Sequence, residues 1–271
     1  MRDFAFLENK ARQLRISTLE MILEAGSGHI GGSFSIAEIL TALYYDKMNF
    51  GSGVDDKERD RFILSKGHAN PILYTVLIDK GFVDEKEKHT LRRLNSPLQG
   101  HPDSRKCPAL DCSTGSLGQG LSVAVGMALG LKKENRKGHV YVVVGDGELQ
   151  EGICWEALMF ASSQKLDNLT VIIDRNGLQL SARTEDTNAL ESLEDKMKSF
   201  NLSVFSIDGH DYKEIFDALD KETSDKPKCI IARTIKGKGV SFMEDNVKWH
   251  GAMPTPDEIE KAFKELGGKN V

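Results

Sequence analysis

The stretch Val140-Tyr-Val-Val-Val-Gly-Asp-Gly-Glu-Leu-Gln-Glu-Gly152, followed after an interval by Leu169-Thr-Val-Ile-Ile-Asp-Arg-Asn-Gly-Leu-Gln179, decides the fold. Its two β-branched runs, 140–144 and 169–173, lack the alternation of half-exposed strands and read as buried parallel strands. Between them Trp155, Leu158, Met159 and Ser162 recur at helical spacing, so the interval suits one crossover helix. Parallel neighbours end at the same sheet edge, and Asp146 and Asn176 should therefore face one crevice. A carboxylate and an amide oxygen meeting there suit a hard cation such as Mg²⁺, which keeps phosphate oxygens and water as its other ligands. Gly145 and Gly147 permit a tight turn and the close approach of an anion. The helix after Gly152 offers unsatisfied N–H groups nearby. A Gly-Asp-Gly turn alone is common at strand ends; its pairing with a strand that closes on Asn is the specific signal.

At 271 residues the chain is long enough for a full core. Charged residues at 28% and hydrophobic ones at 39% describe an ordinary soluble globular chain. A net charge of −5 gives no electrostatic case for nucleic acid or for an anionic membrane. No run approaches the ~18 apolar residues of a membrane-crossing helix, and the start, Met1-Arg2-Asp3-Phe4, carries no signal-peptide core. Cys107, Cys112, Cys154 and Cys229 form no Cys-x-x-Cys pair, which favours free thiols and a cytoplasmic location. The spacing of His101, Cys107 and Cys112 is too irregular for a zinc site.

Outward from the central stretch, Leu7, Ala11, Leu14, Thr18, Met21, Ile22 and Ala25 give an amphipathic opening helix that stops at Gly26. Residues 26–33 are a glycine-rich loop carrying His29. The loop lacks the Lys-Ser/Thr of a nucleotide cradle, and its imidazole among small residues suits a ligand wall. Ser35 is expected to begin a helix with Ile36, Ile39, Leu40 and Leu43 on one face. Residues 61–65 read as a strand leading into Lys66-Gly67-His68-Ala69 and a further helix, where His68 can donate to a phosphate. The irregular stretch 95–120 is long enough to be functional, and a helix with Ala124, Gly126, Ala128 and Gly130 follows over 121–131. Beyond residue 179 the pattern gives a polar loop (181–187), a helix (190–200), a strand (202–207), a helix (212–219) and a strand (229–234). A last helix begins at about Asp257. This rhythm implies an α/β fold, a doubly wound, mostly parallel sheet with helices on both faces, in one domain over 1–271. The segment 236–251 leaves a strand end and could return to the same crevice.

Four separate stretches surround the Asp146/Asn176 pair: Gly28-His29, Ser65-Lys66-Gly67-His68-Ala69, Gly100-His101-Pro102 with Gly115-Ser116-Leu117-Gly118-Gln119-Gly120, and Trp249-His250-Gly251. In this order, with Gly145 to Gly152 and Trp155-Glu156-Ala157, they resemble the N-terminal, diphosphate-binding part of the transketolases over essentially the whole chain. Ile30-Gly31-Gly32 departs from the family, many of whose members carry Pro or other small residues after the His.

The resemblance implies a thiamine-diphosphate-binding fold and the following roles. Asp146 and Asn176 hold Mg²⁺ (with Ca²⁺ or Mn²⁺ as substitutes) by their side chains, and Leu178 by its carbonyl. His68, Gly147 and His250 contact the diphosphate, with Lys236 adding positive charge, and Gly115, Ser116 and Leu117 line the cofactor. His29, His101 and His250 face the sugar, where imidazoles can pass protons near neutral pH. Glu151 connects paired cofactor sites. His89, His139 and His210 match no motif and read as structural or solvent-facing. The family's activating Glu and sugar-phosphate-binding residues lie in a pyrimidine-binding half expected on a second chain. By resemblance, then, the chain is the N-terminal subunit of a split transketolase acting on sugar phosphates. It would be inactive by itself and joined with a C-terminal subunit, as α2β2. A related thiamine-diphosphate enzyme with another ketose or aldehyde substrate, or a non-catalytic cofactor-binding paralogue, are the alternatives. The retained histidines weigh against the last.

Overall fold

The structure is a computed structural model that describes residues 2–268; residue 1 and residues 269–271, the ends of the expected domain, lie outside the described residues. Five strands form one sheet: β1 (Arg61–Leu64), β2 (Val140–Gly145), β3 (Leu169–Arg175), β4 (Ser203–Asp208) and β5 (Lys228–Arg233). Their order is β1-β2-β3-β5-β4, and every neighbouring pair is parallel, a stricter arrangement than the mostly parallel sheet expected. The register pairs Val140 with Leu169 and Gly145 with Asp174, so β2 and β3 end side by side.

Side chains alternate across this sheet and feed two separate cores. Phe62, Leu64, Tyr141, Val143, Ile172 and Ile230 pack on one face, under α1 (Phe4–Ala25), α2 (Ile30–Phe34), α3 (Ala37–Ala42), α4 (Asn70–Asp79) and α9 (Tyr212–Asp220). Ile63, Val140, Val142, Val144, Val171, Ile173 and Cys229 pack on the other, under α5 (Gln119–Lys133), α6 (Gly152–Ser163) and α8 (Leu193–Ser199). Helices thus cover both faces, as the unalternating apolar runs require. α1 is closed at Gly26, whose φ of 67° is the left-handed cap expected there. α7 (Thr184–Thr187) is a single turn inside the segment expected as polar loop, and α10 (Pro256–Glu265) is opened by a Thr255/Glu258 capping box.

Several elements differ from the sequence reading. Residues 30–33, expected as part of the loop, form with Phe34 the short helix α2 behind His29. Its glycines serve packing: a Cβ on Gly31 would stand 2.8 Å from the carbonyl oxygen of Trp249. The following helix starts at Ala37 rather than Ser35, and its residues are buried all round instead of on one face. α6 buries Cys154, Ala157, Leu158 and Ala161, so of the expected Trp155, Leu158, Met159 and Ser162 stripe Leu158 is core, Trp155 and Ser162 are half-buried and Met159 is exposed. The helix expected over 190–200 is shortened to α8, because 188–192 is held as a loop by Glu185. All four cysteines are free. Among the described residues, no helix is long and apolar enough to cross a membrane.

Candidate thiamine diphosphate site

The tips of β2 and β3 open into a cavity of about 320 Å³. Asp146, Gly147, Asn176 and Leu178 wall it from the strand tips, His68 and Leu117 from loops on one side, Lys236 and His250 from the C-terminal segment, and Glu151 from the rim. Nine of the sequence-expected residues therefore meet in one place. His29 is not in the wall itself but packs behind it: the His29, His68 and His250 rings lie with centroids 5.1–5.3 Å apart. The docking of α2 against Trp249 brings His29 and His250 together. Gly115, Ser116 and His101 stand outside the lining. Ser116 is exposed, and a Cβ on Gly115 would lie 3.3 Å from the His101 ring, so these two pack on each other at the edge.

The imidazoles are kept neutral. Burial, reinforced by Arg92, lowers His29 to about 4; burial and the Lys66 ammonium lower His68 to about 2; burial and Lys236 lower His250 to about 3. His101 is lowered by burial and Arg92. Lys236 Nζ donates to His250 Nδ1 at 2.9 Å, which leaves the His250 proton on Nε2. The same ammonium donates to the Leu178 carbonyl at 3.2 Å, and burial followed by Lys66 lowers it to about 8.

The oxygens around the strand tips are finely arranged. Asp146 Oδ2 accepts from Gly177 N at 2.6 Å and from Arg175 Nη1 at 3.0 Å, while Oδ1 accepts from Gly147 N at 2.8 Å. Asn176 Nδ2 donates to Asp174 Oδ2 at 2.8 Å, which turns Oδ1 the other way, where Leu178 N donates to it at 3.1 Å. Asp174 is completely buried. Its carboxylate also accepts from Lys66 Nζ at 2.6 Å, from Ser35 Oγ at 2.9 Å and from Thr234 Oγ1. Opposite, Glu148 accepts from Ser65 Oγ, Gly118 N and Gly145 N, and so ties the 115–118 loop to β2.

These residues fit a metal-bridged diphosphate. The described residues hold no cluster of three or more His, Cys, Asp or Glu suited to a metal. A cation here would rely on one carboxylate and neutral oxygens, the donor set of a hard ion that shares its shell with phosphate and water. Burial and the Asp174 charge push the Asp146 carboxyl up, so a cation beside it gains from neutralising it. Gln179 Oε1 is buried without a hydrogen-bond partner, an acceptor that a cation's bound water can satisfy. Lys66, Glu148, Asp174, Arg175 and Gln179 were given no role in the sequence reading. The signal for Asp174 was present: an Asp inside Leu-Thr-Val-Ile-Ile-Asp must find partners when buried. The other histidines stand outside the cavity. His210 bridges Glu38 Oε2 and Ile235 N, His139 meets Thr170 Oγ1, and His89 pairs with Glu24 on the surface.

Residues 7–270 match the family described as transketolase, thiamine diphosphate binding domain. The chain belongs to the transketolase family. It is 43% identical over 263 residues to the 6-deoxy-6-sulfo-D-fructose transketolase subunit SqwG of Clostridium sp. (strain MSTE9), covering 96% of each chain. It is 42% identical to one of the subunits of the apulose-4-phosphate transketolase of Phocaeicola vulgatus, covering 96% of this chain and 93% of that one. Human transketolase is 39% identical, but only 42% of its length is matched. The crystal structure of Campylobacter jejuni transketolase superposes with a TM-score of 0.93 at 34% identity, covering 99% of this chain and 44% of that one. The chain thus matches transketolase subunits over nearly their whole length and spans under half of the human and Campylobacter jejuni transketolases.

Proposed function

We propose that this chain is the thiamine-diphosphate- and Mg²⁺-anchoring subunit of a two-component transketolase, one diphosphate-binding domain over 1–271 that moves a two-carbon ketol unit between sugar phosphates. The observation that carries the reading is the shared cavity at the tips of β2 and β3, where the Asp146, Asn176 and Leu178 oxygens meet His68, His250 and Lys236. In this reading Asp146, Asn176 and the Leu178 carbonyl hold the cation. Lys236, His68, His250 and Gly147 meet the diphosphate, and Leu117, with Gly115 and Ser116 beside it, borders the rings. Bound thiamine diphosphate supplies an electron sink for breaking and making a carbon–carbon bond next to a ketose carbonyl. The protein's own groups bind, orient and move protons. Neutral His29, His101 and His250 offer N–H donors where alkoxide charge develops and can exchange protons with sugar hydroxyls. Glu151 at the rim links this cavity to a second one in a twofold assembly.

A C-terminal subunit completes the pocket, in an α2β2 assembly with a cytoplasmic setting, and supplies the cofactor-activating carboxylate and most contacts to the sugar's anionic end. The relatives named for a sulfofructose and for apulose 4-phosphate make a ketose with a terminal anion the substrate class to screen. The test is reconstitution. The purified chain is expected to show negligible ketol transfer, and mixing with its co-purified C-terminal partner is expected to restore it. Full activity from the chain alone would refute the two-component reading. Asp146→Ala is expected to abolish Mg²⁺-dependent thiamine diphosphate binding by calorimetry; unchanged binding would refute the metal assignment.

A further inference from the structure

Arg175, the last residue of β3, lies between the Asp146 carboxylate and the segment whose first residues, Leu178 to Leu180, line the cavity. Its side chain is 11% exposed. Nη1 donates to Asp146 Oδ2 at 3.0 Å and to Thr184 Oγ1 at 2.7 Å. Nη2 donates to Glu185 Oε1 at 2.6 Å and to Glu191 Oε1 at 2.9 Å. One planar fork therefore joins β2's tip to three residues of a strap, residues 177–192. The strap is folded on itself: Thr184 N bonds to the Gly177 carbonyl, and Gln179 N to the Ala182 carbonyl. The Glu185 carboxylate gathers the Leu190 and Glu191 amides, and Gln150 Nε2 ties the Thr184 and Asn188 carbonyls to the β2 loop.

We infer that Arg175 is a positioning residue that fixes which oxygen of Asp146 faces the cavity and couples that orientation to the folding of the 177–192 strap. The inference rests on the proposed role of Asp146. With Arg175 and Gly177 N both on Oδ2, Oδ1 keeps only the Gly147 amide and is the oxygen left with room for a cation. Groups behind a metal ligand set its orientation, and losing one costs about 10- to 100-fold in metal affinity. Because the other end of the fork is anchored in the strap, the cation and an ordered strap stabilise each other. A guanidinium suits this task, since its rigid, planar donors can serve several carboxylates at once, and an ammonium cannot reproduce that span.

The test uses the full chain assembled with its co-purified C-terminal partner, with hydrogen exchange read by mass spectrometry and Mg²⁺-dependent thiamine diphosphate retention read by calorimetry. Arg175→Met is expected to speed exchange of amides 184–193 and to raise the Mg²⁺ requirement about tenfold. Arg175→Lys should fail to rescue either. The double variant Glu185→Gln/Glu191→Gln leaves Asp146 and Arg175 in place, and is expected to shift both readouts in the same direction, by a smaller factor. Faster exchange with an unchanged Mg²⁺ requirement would make the fork merely structural and overturn the inference. Tighter metal binding in Arg175→Met would overturn it too, by marking the guanidinium as a repelling charge. So would native behaviour of Arg175→Lys. If the native chain assembled with its C-terminal partner shows no Mg²⁺-dependent retention, the anchoring role of Asp146 falls first and takes this inference with it.

Discussion

Lys66 and Asp174 form an ion pair of 2.6 Å in which the two side chains are 2% and 0% exposed, directly beneath the cavity. Burial opposes the Asp174 charge, but the Lys66 ammonium and the surrounding hydroxyl donors overcome it and hold the carboxyl below its usual range. Removing one partner would leave the other charge buried alone. Lys66→Met is therefore expected to cost about 3–5 kcal/mol in chemical denaturation. The double variant Lys66→Met/Asp174→Leu should recover much of that loss while failing to bind Mg²⁺, because Asn176 Nδ2 loses the carboxylate that orients it. A single variant as stable as the native chain would show that the pair is not desolvated in solution.

The histidine trio gives the fold a mild acid sensitivity. His29, His68 and His250 are lowered in the folded state to about 4, 2 and 3, whereas an unfolded imidazole titrates near ~6.5. The folded rings stay neutral while the unfolded ones take up protons, so the stability they contribute is full above ~6.5 and declines as pH falls below it. Between pH 7 and pH 5 each ring is expected to lose on the order of 1 kcal/mol after solvent screening. Denaturation curves at the two pH values should converge for His29→Asn relative to the native chain. Equal pH dependence in both would show that the His29 ring titrates normally.

Gly118 joins backbone geometry to the cavity wall. Its φ is +82°, its N–H donates to Glu148 at 2.8 Å, and a Cβ there would stand 2.5 Å from Ile153 Cγ2. Gly118→Ala is expected to destabilise by about 1–3 kcal/mol, through strain and overpacking. It should also weaken thiamine diphosphate binding, since Leu117 is the neighbouring wall residue. Gly126→Ala, whose Cβ meets nothing within 4 Å, serves as the control and should be neutral or stabilising in thermal melts.

The central strands were legible because β-branched runs without alternation admit few other readings, and parallel pairing then places Asp146 and Asn176 together from topology alone. Among the histidines, His29 and His68 were legible from their local settings, a glycine-rich loop and a strand-to-helix turn, whereas His101 and His250 were legible only through resemblance, since no spacing relates them to the strand tips. What could not be read depended on packing between distant segments. α2 carries two glycines that argue against a helix until Trp249 is seen pressed against Gly31. In α6 Leu158 was placed correctly and Met159 was not, because Met159 looks like a core residue and nothing local says that it faces outward. Lys66 and Asp174 are 108 positions apart, and a charge in an apolar run announces that it needs a partner without naming one.

The end of β3 and the residue after it carry three separate duties: Asp174 pairs with Lys66, Arg175 reaches across to the strap, and Asn176, just past the strand, walls the cavity. Because side chains switch sides at every step along a strand, one inserted or deleted residue between positions 169 and 176 would reassign all three at once. Insertion scanning should find this eight-residue stretch intolerant of any change in length, while residues 51–58, mostly exposed turns outside every helix and strand, absorb extra residues with little effect.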